Sequence, residues 1–217
     1  METLTEILIR NGMAGRVFST AAVSDLVDGS RQRRWGLVHR ALESGELTKL
    51  KRGLYLLDPA LTGQTVSAYT IANRLVPESY ISMETALSYH GWLQEEPVEI
   101  QSCIPSGKSR SYSNPIGEFV YRTLPALGSD YYLGVHRNVT SSDVYMIAGV
   151  ERALGDTLYF RKPEWRGISG LCDELRIDMN VLEELDTTLL GQLGEFYRSG
   201  TVRQLLRKLL SALGGKR

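Results

Sequence analysis

The chain has 217 residues, of which 42% are hydrophobic, 23% are charged and only two are cysteines. This length and apolar content suit one large domain or two small ones, and they exclude an intrinsically disordered chain. The formal net charge of zero hides an asymmetry: residues 1–58 carry +2, residues 59–197 carry −8 and residues 198–217 carry +6. A basic front and a basic tail therefore flank an acidic middle.

Cysteine usage and hydropathy indicate the compartment. Cys103 and Cys172 are far apart and lack the spacing of a metal site, which favours a reducing cytoplasm and leaves one disulfide open. The first 13 residues, METLTEILIRNGM, lack the charged and long apolar regions of a signal peptide. No run approaches the roughly 18 apolar residues of a membrane span. We expect a cytoplasmic protein with no membrane partner.

Two short helices are predicted ahead of residue 29. Thr3 and Glu6 have the spacing of a capping box, and apolar residues then recur at helical spacing as far as Arg10. Ser19 or Thr20 is expected to cap a second helix, which the turn at Asp28 ends.

The third predicted helix starts with an unusual cluster of arginines. Ser30 is expected to cap this helix, and Arg31, Arg33 and Arg34 lie in its first turn. Cations are unfavourable at the positive pole of a helix, by a few tenths to about 1 kcal/mol each. A phosphate backbone lying against them would reverse that effect. The pattern therefore predicts a recognition helix for DNA.

We assigned the two faces of this helix at about 100° per residue. The predicted core face holds Trp35, Val38, His39 and Leu42. The predicted groove face holds Arg33, Gly36, Leu37 and Arg40. Such a face offers cations for phosphates or guanine edges and an apolar group for a thymine methyl. Alternatively, the two arginines are only solvated and Leu37 belongs to an interdomain contact.

A basic hairpin follows. Residues 47–57 contain two short runs capable of forming strands around Gly53, which can adopt a positive φ at the tip. Lys49, Lys51 and Arg52 are expected to cluster there. From residue 30 to residue 52 the chain has five arginines and two lysines against two glutamates, a net charge of +5. This bias is typical of DNA-binding modules.

Three short helices followed by a basic hairpin are the element order of a winged helix-turn-helix. We predict such a domain over residues 1–58, because Pro59 cannot extend the preceding strand. The predicted contacts to double-stranded DNA come from the third helix and the hairpin: Arg31, Gln32, Arg33, Arg34, Arg40, Lys49, Lys51 and Arg52. Gln32, Arg33 or Arg40 would reach base edges, and the hairpin cations would contact phosphates.

Residues 59–217 are predicted to form a mixed α/β domain, so that the whole chain is α+β. Helices are expected from Thr62 to Pro77 and from Ser82 to Tyr89, with His90 as a C-terminal residue favoured by the helix dipole rather than a metal ligand. Strands are expected at residues 99–104, 117–124, 131–135 and 144–148. The polar segment 105–115 reads as a loop, and its Gly-Lys-Ser lacks the remainder of a phosphate-binding motif.

Three further helices are predicted towards the C-terminus. One covers residues 149–160, where Glu151 and Asp156 lie on different faces and therefore suit capping and packing rather than acid/base catalysis. Another covers residues 180–190. The last starts at Thr201 and is strongly amphipathic with a basic outer face, so we expect it to dock on the core; a contact between copies is the alternative.

Three segments resemble the AbiEi family of type IV toxin–antitoxin systems. Residues 50–55 (LKRGLY) are similar to the family's basic wing. Tyr80-Ile81-Ser82 with Ala86-Leu87 and His90-Gly91 is similar to its IS…AL…HG helix. Ile147-Ala148, residues 151–154 (ERAL) and Asp156 are similar to its IA…EKAL…D helix. This chain departs from the family at Arg152, where a lysine is usual, and at Gly155.

The resemblance implies a winged helix joined to a larger C-terminal antitoxin domain. It implies repression of the protein's own operon through inverted repeats, which requires two copies on the DNA and thus a homodimer there. It also implies neutralisation of a nucleotidyltransferase-like toxin, not necessarily through a stable complex.

Two other classes of function compete with this one. A ligand-sensing winged-helix regulator unrelated to a toxin would use the acidic domain as its sensor. A nuclease would need clustered carboxylates, and the sequence offers no convincing set. We therefore expect neither catalytic residues, nor a metal, nor a cofactor.

Overall fold

The computed structural model describes residues 2–93, 95–125, 128–140 and 143–214, and it has a mixed α and β fold. Within these residues the chain forms ten α-helices and two β-sheets. None of the described helices is long and apolar enough to cross a membrane.

The N-terminal part alternates short helices and strands. Its elements are α1 (Leu4–Arg10), β1 (Phe18–Ser19), α2 (Thr20–Leu26), α3 (Arg31–Glu43), β2 (Leu47–Lys51) and β3 (Leu54–Leu57). The three strands form an antiparallel sheet in the order β1-β3-β2. The predicted caps are confirmed, since Thr3 and Glu6 form a capping box and Ser19 and Ser30 cap α2 and α3. Gly53 has the expected positive φ of 76°.

The remainder of the chain surrounds a six-stranded mixed sheet in the order β6-β7-β5-β4-β9-β8. Its elements are α4 (Pro59–Thr62), α5 (Ala68–Leu75), β4 (Tyr80–Ile81), α6 (Met83–Tyr89), β5 (Glu99–Ile104), β6 (Arg110–Asn114), β7 (Gly117–Thr123), β8 (Val135–Val139), β9 (Val144–Ala148), α7 (Val150–Arg161), α8 (Gly167–Leu175), α9 (Thr187–Phe196) and α10 (Gly200–Gly214). Strand β4 pairs in parallel with β9, and β5 with β7. The other pairings are antiparallel.

Helices α7 to α10 pack together beside this sheet. The apolar stripe of α10 is buried through Val202, Leu205, Leu206 and Leu209. The predicted docking of this helix on the core is therefore confirmed, and its period-3.6 pattern explains why.

The hairpin formed by β2 and β3 contributes to two apolar clusters. Leu47 and Leu57 are buried against α1, α2 and α3. Leu50 and Leu56 point to the opposite face of the strands and are buried against the larger C-terminal cluster. Asn114 of β6 also donates a hydrogen bond of 3.3 Å to the backbone oxygen of Leu50. Both faces of this hairpin are thus covered by protein.

Several predicted element boundaries are wrong. The helix expected from Thr62 starts at Ala68, because Gly63 adopts a left-handed conformation and Ser67 provides the cap. The region predicted as a helix over 180–190 is a 3-10 helix, Asn180–Glu184, followed by α9. The strand expected at 131–135 is likewise wrong, since a 3-10 helix spans Gly128–Tyr132 and the strand begins at Val135.

The polar segment 105–115 was predicted to be a loop, yet its second half is strand β6. Residues Arg110–Asn114 pair with β7 at the edge of the sheet, where polar side chains are tolerated. The Gly-Lys-Ser at 107–109 is therefore followed by a strand, whereas a phosphate-binding loop leads into a helix.

A glycine inside α7 accommodates a buried tyrosine. A Cβ atom added at Gly155 would lie 2.6 Å from the hydroxyl oxygen of Tyr197 and 2.8 Å from its ring. Tyr197 is 1% exposed and its hydroxyl donates to Asp156, so a shift of the ring would disturb this buried hydrogen bond. Gly155 thus permits the close approach of Tyr197 to the helix.

We expect Gly155→Ala to lower the free energy of unfolding by about 1–3 kcal/mol, because the added methyl group overpacks this contact. Gly191→Ala in α9 is the matched control, since a Cβ there meets open space. It should instead stabilise the protein by roughly 0.5–1 kcal/mol through helix propensity. Urea unfolding followed by circular dichroism measures both changes, and equal effects of the two substitutions would contradict this packing role.

Candidate nucleic-acid interface

The exposed side of α3 is the strongest candidate surface. Ser30 accepts a hydrogen bond of 3.2 Å from the backbone nitrogen of Arg33 and so fixes the start of the helix. The solvent-exposed residues of the helix include the following: Arg31, Gln32, Arg33, Trp35, His39 and Arg40. Within the described residues, Arg31, Gln32 and Arg40 have no hydrogen-bond or ion-pair partner. These three side chains are available to a ligand.

Two arginines of the first turn have structural partners. Arg33 Nη1 donates to the backbone oxygen of Asp28 at 3.2 Å, and Arg34 Nη1 donates to that of Val27 at 3.3 Å. Val27 caps the C-terminal end of α2, where backbone carbonyls lack helical partners and cations are favoured. The two side chains therefore stabilise the α2–α3 turn, which accounts for part of the positive charge at this helix start.

The predicted facing of α3 is confirmed only in part, since Val38 and Leu42 face the N-terminal apolar cluster as expected. Trp35 is 66% exposed and His39 is also exposed, although both were expected to face the core. The buried positions are Val38 and Ala41, and Leu37 packs beside them instead of facing outward. The sequence places Trp35 on the predicted core face of α3 because its side chain is large. The small Ala41 and the partly buried Leu37 mark the actual core side.

The hairpin places its three cations in different surroundings. Lys49 and Arg52 are exposed and have no partner among the described side chains. Lys51 is half-buried: its ammonium group donates to the backbone oxygen of Leu75 and lies 5.7 Å from the centroid of the Tyr112 ring. Lys49 and Arg52 therefore remain available to a ligand, whereas Lys51 joins the hairpin to the C-terminal part.

The hairpin tip is anchored beside α2. The backbone nitrogen of Thr20 donates to the backbone oxygen of Gly53 at 3.0 Å. Strand β2 packs against α3. Both elements that carry the predicted contact residues are thus held on one scaffold.

A second cluster, fully buried, lies in the C-terminal part, and we call it the polar cluster. Its members come from four parts of the chain: Tyr80, Ser82, Cys103, Arg152, Asp156 and Tyr197. Arg152 and Asp156 are both 0% exposed, with 3.0 Å between Arg152 Nε and Asp156 Oδ1. The carboxylate also accepts hydrogen bonds from the hydroxyl groups of the two tyrosines and the serine.

Arg152 uses its whole guanidinium group. Nη1 donates to the backbone oxygen of Leu133 at 2.9 Å and Nη2 to the hydroxyl of Tyr80 at 2.6 Å. Its central carbon lies 4.1 Å from the centroid of the Phe196 ring. A lysine could not supply this planar set of donors. An arginine at this position therefore matches its surroundings.

Two of the three family-like segments meet at the polar cluster. Ile81 pairs with Ile147 in the parallel β4–β9 ladder, and α6 packs against α7. His90 Nε2 lies 2.9 Å from the backbone oxygen of Ala148. Glu151 accepts a hydrogen bond of 2.8 Å from the backbone nitrogen of Asp186, the cap of α9. Glu151 and Asp156 thus both make structural contacts, Glu151 with the start of α9 and Asp156 in the buried pair with Arg152.

Sequence reasoning missed the Arg152–Asp156 pair, although a signal was present. The two residues are four apart on one helix, the spacing at which opposite charges meet. Their partners could not be found in the same way, because Tyr80 and Tyr197 are distant in sequence.

A cleft of about 1210 Å³ separates the N-terminal elements from α5 and β9. Phe18 and Val66 line it with apolar surface, and the exposed cations Arg16 and Arg74 border it. Asp143, also in the lining, accepts hydrogen bonds of 2.8 Å from Ser67 N and Thr70 Oγ1. Across the described ranges no three His, Cys, Asp or Glu side chains are grouped so that they could hold a metal ion. Cys103 and Cys172 are both buried, and neither forms a disulfide among the described residues.

The fold is similar to that of a solved protein. The crystal structure of the RV2827C protein from Mycobacterium tuberculosis aligns with a TM-score of 0.62 and 15% sequence identity, covering 97% of this chain and 76% of that one. At this identity the likeness concerns the fold alone. No family model and no curated protein matches the chain. The resemblance to AbiEi proteins stays a prediction based on the three segments.

Burial in the polar cluster has a consequence for alkaline stability. Burial, and then the negative charge of Asp156, raises the pKa of both Tyr80 and Tyr197 well above the ordinary value. In the unfolded chain tyrosine releases its proton near pH 10. The stability that these groups contribute is therefore complete below about pH 10 and declines as the pH rises further.

We expect the free energy of unfolding to fall between about pH 10 and pH 11 by up to about 1.4 kcal/mol for each such tyrosine. Urea titrations at several pH values, with tyrosinate absorbance recorded in parallel, measure this loss. Tyr80→Phe is the control. It should lower stability at neutral pH, and it should reduce the slope of the free energy of unfolding against pH by the amount that corresponds to about one proton. Ionisation of all tyrosines at the ordinary pKa in the folded protein would contradict the prediction.

Proposed function

We propose that residues 2–57 form a winged helix-turn-helix that binds double-stranded DNA, with α3 in the major groove and the β2–β3 hairpin as the wing. The element order and the antiparallel sheet order β1-β3-β2 support this proposal. In this arrangement α3 follows α2 through a short turn that Arg33 and Arg34 stabilise.

One observation carries the proposal: five exposed polar side chains, three on α3 and two on the hairpin, have no partner within the described chain. In this proposal Gln32 and Arg40 would read base edges, whereas Arg31, Lys49 and Arg52 would contact phosphates. Arg33 and Arg34 fix the turn and remain close enough to the helix start to add positive charge. Lys51 orients the hairpin through Leu75.

We further propose that the protein is the antitoxin and autorepressor of a type IV toxin–antitoxin system. The three family-like segments support this reading, and inverted repeats in its own promoter would hold two copies. The toxin would be a nucleotidyltransferase-like protein, with or without a direct complex. Two of these segments build the buried polar cluster, so they maintain the fold of the C-terminal part and leave its outer surface to face the partner.

The second candidate is a ligand-sensing winged-helix regulator unrelated to a toxin. The 1210 Å³ cleft favours it, because the cleft lies between the proposed DNA-binding elements and the large sheet. A ligand in that position would contact both parts. A nucleotidyltransferase gene beside that of this protein would favour the antitoxin.

We expect the protein to bind the DNA upstream of its own gene in preference to a scrambled fragment. Arg40→Ala should weaken binding to the upstream fragment by about 1–3 kcal/mol and change binding to scrambled DNA much less. Arg52→Ala should weaken both alike and reduce the slope of log affinity against log salt by about one unit.

Mobility shifts over a salt series measure these effects. Arg137→Ala, at an exposed position of β8, is a control for the loss of one positive charge elsewhere. Equal losses for Arg40→Ala and Arg52→Ala on both fragments would contradict this division of roles. A lack of preference by the wild-type protein would contradict the DNA-binding proposal itself.

The antitoxin proposal predicts that co-expression restores growth to cells that produce the neighbouring nucleotidyltransferase-like toxin. Arg40→Ala should restore growth equally well from an independent promoter, because this substitution affects DNA binding and leaves the C-terminal part intact. Colony counts with an empty vector provide the baseline. Continued growth arrest with well-expressed wild-type protein would contradict the antitoxin role and favour the ligand-sensing regulator.

A further inference from the structure

The indole of Trp35 is exposed on the helix proposed to enter the major groove. Trp35 is 66% exposed, whereas Trp92 is 6% exposed and Trp165 packs against the core. A tryptophan side chain normally buries most of its apolar surface. The position of this one, on a helix face otherwise rich in polar side chains, therefore calls for a partner.

The indole is oriented by a neighbour on the same helix. The ring centroids of Trp35 and His39 lie 5.0 Å apart, with 33° between the ring planes. His39 Nε2 lies 3.4 Å from Glu43 Oε1. Residues four apart lie on the same side of a helix, so Trp35, His39 and Glu43 follow one another along the exposed face of α3. The indole is thereby held away from the core.

Trp35 also lies next to groups that suit DNA. Arg31 precedes it by four residues and Gln32 by three, so both are its neighbours on the helix surface. Arg31 and Gln32 are exposed and have no partner in the described part of the chain. An apolar ring bordered by a cation and an amide fits a surface that presents phosphates, polar base edges and a small apolar group together.

We infer that Trp35 is a specificity-determining residue that packs on the C5-methyl group of a thymine in the major groove. The inference rests on the proposed DNA binding. The thymine methyl is the apolar group among the base edges of the major groove, and side chains with apolar surface recognise it. The polar neighbours would hold the helix in the groove while the indole selects thymine.

The first experiment measures whether DNA covers the indole. Acrylamide quenching of tryptophan fluorescence is compared for the full chain with and without its upstream DNA fragment. Trp35→Phe gives the background from the two less exposed tryptophans. DNA should lower the quenching constant of the wild-type protein and leave that of Trp35→Phe nearly unchanged.

The second experiment tests the methyl group itself. The same upstream fragment is prepared with deoxyuridine in place of thymidine, which removes every C5-methyl group and keeps the base-pairing pattern. Wild-type affinity should fall about fourfold for each methyl group that the indole contacts. The affinity of Trp35→Ala should be lower on the natural fragment by about tenfold and should not fall further on the uridine fragment.

The outcomes separate this inference from the function on which it rests. A wild-type protein without preference for its upstream fragment would overturn both. Preferential binding with Trp35 still open to quencher, or an equal uridine effect in wild type and Trp35→Ala, would overturn the role of Trp35 alone. Shielding of Trp35 that grows with protein concentration in the absence of DNA would assign the indole to a contact between copies and overturn the inference.

Two controls accompany these measurements. Val98→Ala truncates a side chain that is 91% exposed in the C-terminal part, and it should leave DNA affinity and quenching unchanged. Thermal unfolding of Trp35→Ala should match the wild type, because the truncated side chain is largely solvated in the folded chain.

Discussion

The packing of the C-terminal part centres on a buried ion pair between Arg152 and Asp156. Arg152 and Asp156 lie on one helix, but the groups that satisfy them come from β4, from β5 and from the end of α9. Taking two charges out of water is unfavourable, and the geometry must be complete before their attraction repays that cost. Here the carboxylate accepts several donors and the guanidinium finds acceptors and aromatic rings. Removing one partner from such a pair typically costs about 3–5 kcal/mol. The pair therefore ties the sheet and the helices into one arrangement.

The hairpin between β2 and β3 relates that arrangement to the proposed DNA-binding surface. Its two faces enter different apolar clusters, and Lys51 adds a polar attachment to the end of α5. The hairpin is thus less mobile than a wing that projects into solvent. Its exposed cations, Lys49 and Arg52, are attached to a backbone that is packed on both faces. Less backbone conformational entropy would therefore be lost if these cations bound a ligand. The same support makes the orientation of the hairpin sensitive to the packing of the larger sheet.

The sequence predicted those features whose signals are local. The caps at Thr3, Ser19 and Ser30 and the glycine at the hairpin tip follow from short-range hydrogen bonding and steric preference, and all are confirmed. Strand β6 was missed because its polar side chains suit a loop equally well, and only its pairing with β7 makes it a strand. Strand β4 has two residues and exists through its ladders with β5 and β9. Such nonlocal pairing leaves little trace in composition or periodicity.

The candidate surface was likewise predicted only in part. The sequence identified the cations of α3 and of the hairpin, but it could not distinguish a free cation from one with a partner. Arg33, Arg34 and Lys51 bind backbone oxygens, and such acceptors do not depend on side-chain identity. The facing of α3 was wrong at Trp35 and His39 because a large aromatic residue was assumed to be buried, whereas Val38 and Ala41 are the buried positions. Side-chain size alone is therefore a poor guide to which face of a helix is buried.

The shared hairpin also limits how the chain can be divided. A fragment that ended after Leu57 would retain α3 and both strands of the hairpin, yet it would lose the residues that cover Leu50 and Leu56. Two leucines that are each 2% exposed in the whole chain would then face water on a flat strand surface. Such a surface invites pairing with other copies of the fragment. The N-terminal part therefore keeps Leu50 and Leu56 covered only within the longer chain, and a shorter version would need a substitute for the missing cover.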